Sequence, residues 1–166
     1  MRRRIIGVMG PGDAHAAIEE TAFALGALIA RERWVLLTGG RAAGVMDAAS
    51  RGAKSVSGSV TVGILPGGCT TADVSSGVDI AIFTNMGDAR NAINVQSSDV
   101  VLALGAVTPG TLSEVALALK ADKPVVLVGA SDHAQRFLAA IGNGRVHVAA
   151  DARDAIALIK RLLPTA

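Results

Sequence analysis

The strongest constraint on the fold is an alternation that runs from one end of the chain to the other. Short apolar blocks are each followed by a glycine-bearing turn and then by apolar residues at helical spacing. Such blocks are the mark of strands buried on both faces, and strands that alternate with helices imply right-handed crossovers into a parallel sheet. The blocks Arg4–Met9, Trp34–Thr38, Thr61–Leu65, Asp79–Thr84, Asp99–Leu104, Lys123–Val128 and Val146–Ala149 predict seven strands. Helical patterns are expected over Ala14–Arg31, from Arg41 to about Ser57, from Asn85 to about Ser97, over Glu114–Lys120 and Ala134–Ile141, and from Asp151 to about Leu163. Asp13 and Asp151 are the expected N-caps of the first and last helices. The expected architecture is a three-layer α/β, Rossmann-like, doubly wound parallel sheet with helices on both faces. Residues 1–166 form a single domain in this reading.

Composition narrows the function classes. Hydrophobic residues make up 51% of the chain, but no apolar run reaches the length of a membrane span. With three Phe, one Trp and no Tyr there is little to stack on bases, which argues against single-stranded nucleic acid as a partner. Arg2, Arg3 and Arg4 read as a solvated lead-in to the first strand. Charged residues are only 18%, so burial of some surface in a homo-oligomer is expected. One cysteine, Cys69, excludes an intrachain disulfide and, with no signal-peptide pattern, points to the cytoplasm. His15, His133 and His147 lack metal-ligand spacing.

In a doubly wound sheet, ligands bind beyond the carboxyl ends of the strands. Three glycine turns fall there: Gly10-Pro-Gly12, Gly39-Gly40 with Gly44, and Gly105 with Pro109-Gly110-Thr111. Glycine lets a ligand approach the backbone, and N–H groups at a helix start bind anions. Thr38, Thr108 and Thr111 add hydroxyls. The candidate ligand-binding residues around these turns are Gly10, Gly12, Thr38, Gly39, Gly40, Arg41, Gly44, Val45, Met46, Arg90, Thr108, Gly110, Thr111 and Glu114. Glu114 reads equally as a helix-start carboxylate or as a group facing the ligand, and Arg90 as a surface ion pair or a ligand clamp. Asp88 and Asn91 read as capping and support. The first turn lacks the GxGxxG spacing and Thr38 stands where a ribose-binding acid would be, so NAD and FAD are not expected.

Together, Thr38-Gly-Gly40, Gly44-Val-Met46, Gly63-Ile-Leu-Pro66, Arg90 and Pro109-Gly-Thr-Leu-Ser-Glu114 resemble the Rossmann-like superfamily labelled lysine-decarboxylase-like. No pyridoxal-phosphate lysine is evident. The segments Ile6–Gly12, Leu36–Arg41, Glu114–Lys120, Lys123–Leu127 and Val146–Asp151 resemble its branch of molybdenum cofactor carrier proteins. That resemblance implies a protein that binds molybdopterin as carried cargo and protects it for a molybdoenzyme. It also implies a homo-oligomer, dimer or tetramer. The related cytokinin phosphoribohydrolases imply the alternative, N-glycosidic hydrolysis of a nucleoside 5′-monophosphate, with Arg90 and Glu114 catalytic. Their PGGxGT run is here Gly105-Ala-Val-Thr-Pro-Gly-Thr111, and this departure favours carriage.

Overall fold

The computed structural model describes residues 2–68 and 73–163. Its strands are β1 (Ile5–Met9), β2 (Val35–Thr38), β3 (Val60–Leu65), β4 (Ile80–Phe83), β5 (Val100–Leu104), β6 (Val125–Val128) and β7 (Val146–Ala149). Its α-helices are α1 (Ala16–Arg31), α2 (Gly44–Lys54), α3 (Asn91–Ser97), α4 (Pro109–Lys120), α5 (Asp132–Ile141) and α6 (Ala152–Leu162). A 3-10 turn, Gly87–Arg90, leads into α3.

All seven strands join one sheet in the order β4-β3-β2-β1-β5-β6-β7, and every pairing is parallel. The period-2 pattern of the central strands divides their side chains between two cores. Val100, Leu102 and Leu104 of β5 pack with Val126 and Val128 of β6 against α1, α2 and α6, through Leu25, Ile29, Ala49 and Ile159. Val101 and Ala103 pack with Val125 and Leu127 on the opposite face, against Val95 of α3, Val115 of α4 and Leu138 of α5. The expected three-layer architecture is therefore the observed one.

Helices α1 and α2 cross at backbone contact. A Cβ on Gly26 would sit 2.0 Å from the Ala49 carbonyl oxygen, and one on Gly52 would sit 2.0 Å from that of Phe23. This crossing sets the height at which α2 meets the sheet, and hence where Gly44 and Met46 lie.

Three local expectations differ from the structure. Helix α1 begins at Ala16, with His15 rather than Asp13 at its N-cap position and no side-chain cap. The turn before it is folded over α2, where Val45 N–H donates to the Pro11 carbonyl at 3.1 Å, so the chain needs more residues to reach the helix. The helical segment expected from Asn85 starts later, because Asn85 and Gly87 both take positive φ (53° each). The Thr/Ser-rich segment Cys69 to Val78, which the sequence predicts as loop, contains an antiparallel bridge from Val74 to Arg41, while Cys69 lies outside the described residues. Asp151 does cap α6, accepting from the N–H groups of Arg153 and Asp154 at 2.8 and 2.9 Å. No helix among the described residues is long and apolar enough to cross a membrane.

Candidate functional site

The strand order reverses direction between β1 and β5. Their following loops turn to opposite faces of the sheet and leave a crevice at the carboxyl ends. A cleft of about 170 Å³ occupies this crevice. Its base is the end of β1, Val8 and Met9, and the Gly10-Pro11-Gly12 turn forms one lip.

The N-terminus of α4 forms one wall. Thr108 is the N-cap: its hydroxyl accepts from the Thr111 N–H at 3.4 Å and lies 3.1 Å from the Thr111 hydroxyl. Pro109 at the first helical position has no N–H to leave unsatisfied and its φ suits the helix. Thr108, Gly110 and Thr111 all face the cleft. The 12-residue helix therefore points the positive end of its dipole, and two hydroxyls, at whatever binds there.

Gly39, Arg41 and Met46 form the opposite wall together with Arg90. A Cβ on Gly39 would lie 2.4 Å from a guanidinium nitrogen of Arg90 and 2.7 Å from the Met46 sulfur. Glycine at 39 therefore admits the arginine that reaches in from the turn before α3.

The remaining sequence candidates stand behind this wall. Thr38 is fully buried; its hydroxyl accepts from the Gly40 N–H at 3.1 Å and lies 3.4 Å from the Ser50 hydroxyl. Gly40 takes φ 74° where its Cα passes close to that of Gly63. Gly44 and Val45 hold the β1 turn: a Cβ on Gly44 would meet the Pro11 carbonyl oxygen at 2.4 Å. None of these four lines the cleft. Gly12 and Gly110 do line it, and neither has positive φ or a contact that would exclude a Cβ, so the folded chain itself gives no reason for glycine there.

The floor is polar and buried. Glu114, 7% exposed, accepts from Asn94 Nδ2 at 3.0 Å. Burial pushes the Glu114 carboxyl above its ordinary value, against the opposing pull of the Asn94 hydrogen bond and the Arg90 charge. Burial likewise lowers Arg90 from its ordinary value; Glu114 and Asp88 oppose this, and Arg41 adds to it. Among the described residues, Arg90 Nε and Asn94 Oδ1 are both buried without a hydrogen-bond partner.

Sequence reasoning did not place Val8, Pro11 or Asn94 at the site and reads Met9 as packing beside the first glycine turn, yet Val8, Met9 and Pro11 line the cleft. These three flank the glycines of a turn that was singled out, and their place beside it is the signal. Asn94 follows Asn91 at i+3, so both lie on the face of α3 toward α4. Asn91 faces the cleft and donates to the Ser113 hydroxyl at 2.9 Å, and Asp88 also lines it. Among the described residues, no group of three or more His, Cys, Asp or Glu could hold a metal ion.

Comparison with known proteins agrees with this geometry. The molybdenum cofactor binding protein of the phototrophic bacterium Rippkaea orientalis is 52% identical to the chain, with 99% of each chain covered and a TM-score of 0.93. The molybdenum cofactor carrier protein of Chlamydomonas reinhardtii is 50% identical, covering 97% of this chain and 98% of its own, with a TM-score of 0.89. An uncharacterised protein of Archaeoglobus fulgidus is 42% identical over 137 residues, which cover 78% of this chain and 87% of that protein. The model of the SLOG cluster4 family matches residues 3–156. With a sheet of this order, a cleft at its switch point and a family match over nearly its whole length, the chain belongs to the SLOG cluster4 family.

Proposed function

We propose that this protein is a molybdenum cofactor carrier, which binds the cofactor at the β1/β5 crevice and holds it for transfer to a molybdoenzyme. The observation that carries this reading is the near-complete correspondence with carrier proteins at about half identity. The site's chemistry supports it. The cargo is a pterin dithiolene with a terminal phosphate, and the cleft has the parts an oxyanion needs. These are a helix N-terminus, the Thr108 and Thr111 hydroxyls, and the Arg90 guanidinium. Gly12 and Gly110 leave room for the anion to approach the backbone. The pterin supplies its own sulfurs, so no protein thiolate is required.

In this reading Arg90, Arg41, Gly10, Gly12, Gly39, Thr108, Gly110, Thr111 and Glu114 face the cargo. Thr38, Gly40, Gly44 and Val45 hold the walls in place, and Met46 lines the cleft beside Gly39. Glu114, raised by burial, presents a carboxyl group that takes a proton readily, so it tolerates an anion beside it better than an ordinary carboxylate would. Carriage would proceed as a homo-oligomer in the cytoplasm, with the molybdoenzyme as receiving partner. The nucleotide hydrolase reading is not favoured: the near-full-length matches are carriers, and the cleft has no aromatic lining among the described residues to hold an adenine.

The test is a direct comparison. Isolated molybdenum cofactor is mixed anaerobically with the protein, exposed to air, and its loss timed, while AMP and cytokinin nucleotides are assayed separately for free base. Slowed loss with no base release is expected. Base release that disappears in Glu114→Gln would overturn the carrier reading in favour of hydrolysis.

A further inference from the structure

Arg41 lines the cleft on the same wall as Arg90, and its charge adds to the lowering of Arg90. Two cations on one wall repel each other. Arg41 is also exposed, with a long stem and many rotamers. Left to itself, such a side chain turns away into solvent. Keeping it at the cleft requires that the backbone beneath it be fixed.

Residues 73–79 fix it. Arg41 and Val74 form the antiparallel bridge. On either side of it, Ala42 N–H donates to the Asp73 carbonyl at 2.6 Å and Ser75 N–H donates to the Gly40 carbonyl at 2.9 Å. The bridging segment is in turn anchored on α2 and β3. Ser75, 2% exposed, donates its hydroxyl to Asp47 Oδ1 in the first turn of α2 at 2.7 Å. Asp47 accepts from Arg51 Nε at 2.7 Å through its other oxygen, which holds the carboxylate toward Ser75. A Cβ on Gly77 would collide with the backbone of Ser50 and Arg51, so the segment lies directly on α2 there. The Gly77 carbonyl accepts from the Thr61 hydroxyl of β3 at 2.6 Å. Gly77 and Thr61 fix the far end of the segment, whereas the Ser75–Asp47 bond falls next to the bridge. Neither Ser75 nor Asp47 lines the cleft.

We propose that Ser75 and Asp47 are positioning residues for cargo binding: their hydrogen bond holds the Val74 bridge, and the bridge holds Arg41 at the cleft as a second cation beside Arg90. The proposal rests on the carrier reading and extends it to two residues that do not touch the cargo. A phosphate is met better by two guanidinium groups already in place than by one that must be drawn in against the charge of the other. When the bridge opens, Arg41 is competent for only part of the time, and affinity falls by that fraction.

The experiment is a double-mutant cycle on the full chain, read by the rate at which bound molybdenum cofactor is released under anaerobic conditions. Melting curves accompany each variant. Arg41→Met is expected to speed release about 10-fold, and Ser75→Ala about 5-fold. In the Arg41→Met background, Ser75→Ala should add nothing, because the cation it positions is gone. Asp47→Ala should match Ser75→Ala. Asp47→Asn keeps a carbonyl acceptor for the Ser75 hydroxyl and should restore most of the hold. Release at the wild-type rate from both Ser75→Ala and Asp47→Ala, or a Ser75→Ala effect that persists in full without Arg41, would overturn the inference and leave carriage standing. Wild-type protein that does not hold the cofactor would overturn carriage. The same cycle read by calorimetry with inorganic phosphate then decides the positioning role: Ser75→Ala weakens phosphate only while Arg41 is present, and an effect independent of Arg41, or none, refutes it.

Discussion

Replacing Arg90 by Met separates the cost of the site from its use. Arg90 Nε is a buried donor with no partner among the described residues, and leaving such a group unsatisfied costs about 1–3 kcal/mol. Burial also disfavours its charged form, as the lowered pKa indicates. Methionine keeps a flexible stem of similar reach against Gly39 and Met46 and removes the polar head. The attraction to Glu114 and Asp88 is lost, which offsets part of that gain. The ligand-free variant should therefore be more stable by about 1 kcal/mol, the low end of the unsatisfied-donor cost. For a chain of this size that raises Tm by about 2–4 °C. Cargo at 100 times its Kd stabilises the wild type by about 2.7 kcal/mol, and the variant should gain almost none of this. Thermal unfolding with and without cofactor under anaerobic conditions is the assay. The variant melts above the wild type without cargo and below it with cargo. A variant that melts several degrees lower without cargo and keeps the full ligand shift would refute both the orphan-donor argument and the placement of the anion at Arg90.

Three further outcomes are expected. Gly39→Ala should displace the guanidinium, a flexible end that can give way, so stability falls by only about 1 kcal/mol while calorimetry shows cargo affinity reduced 10-fold or more. Gly26→Ala has no such escape, because its Cβ would meet the Ala49 carbonyl of the facing helix; urea titration should show a loss of about 3 kcal/mol, the upper end for overpacking. Glu114 has a folded pKa above its ordinary value, so its contribution is fully present below the ordinary carboxylate value and is lost as pH rises through the elevated one. Denaturation series across that window should slope downward with rising pH in the wild type, and Glu114→Gln should flatten the slope.

The layered architecture was legible in the sequence because it depends on local pattern. Val100–Leu104 and Val125–Val128 are apolar at every position, and a strand buried on both faces has no other simple reading. The placement of ligand turns at the carboxyl edge followed from topology, and Pro109, Gly110 and Thr111 were legible as a turn leading into a helix, while the Thr108 cap and the start at Pro109 came from the structure. Thr38 was misleading because a hydroxyl beside a glycine pair looks the same whether it faces a ligand or, as here, its own backbone and Ser50.

By itself, the sequence determined the alternation, the two apolar faces, the glycine turns at the carboxyl edge and the family resemblance, since each rests on residues close together in the chain or on motif spacing. Only the tertiary structure decided what each glycine is for. Gly39 admits Arg90, Gly44 admits the β1 turn, Gly26 and Gly52 admit a neighbouring helix, and Gly12 and Gly110 remain open to the cleft. It alone also brought Asn94 to Glu114 and left the Arg90 Nε without a partner. The physical reason is that close approach depends on strand order and helix height, which join residues distant in the chain, and no local period records which distant backbone or side chain will arrive.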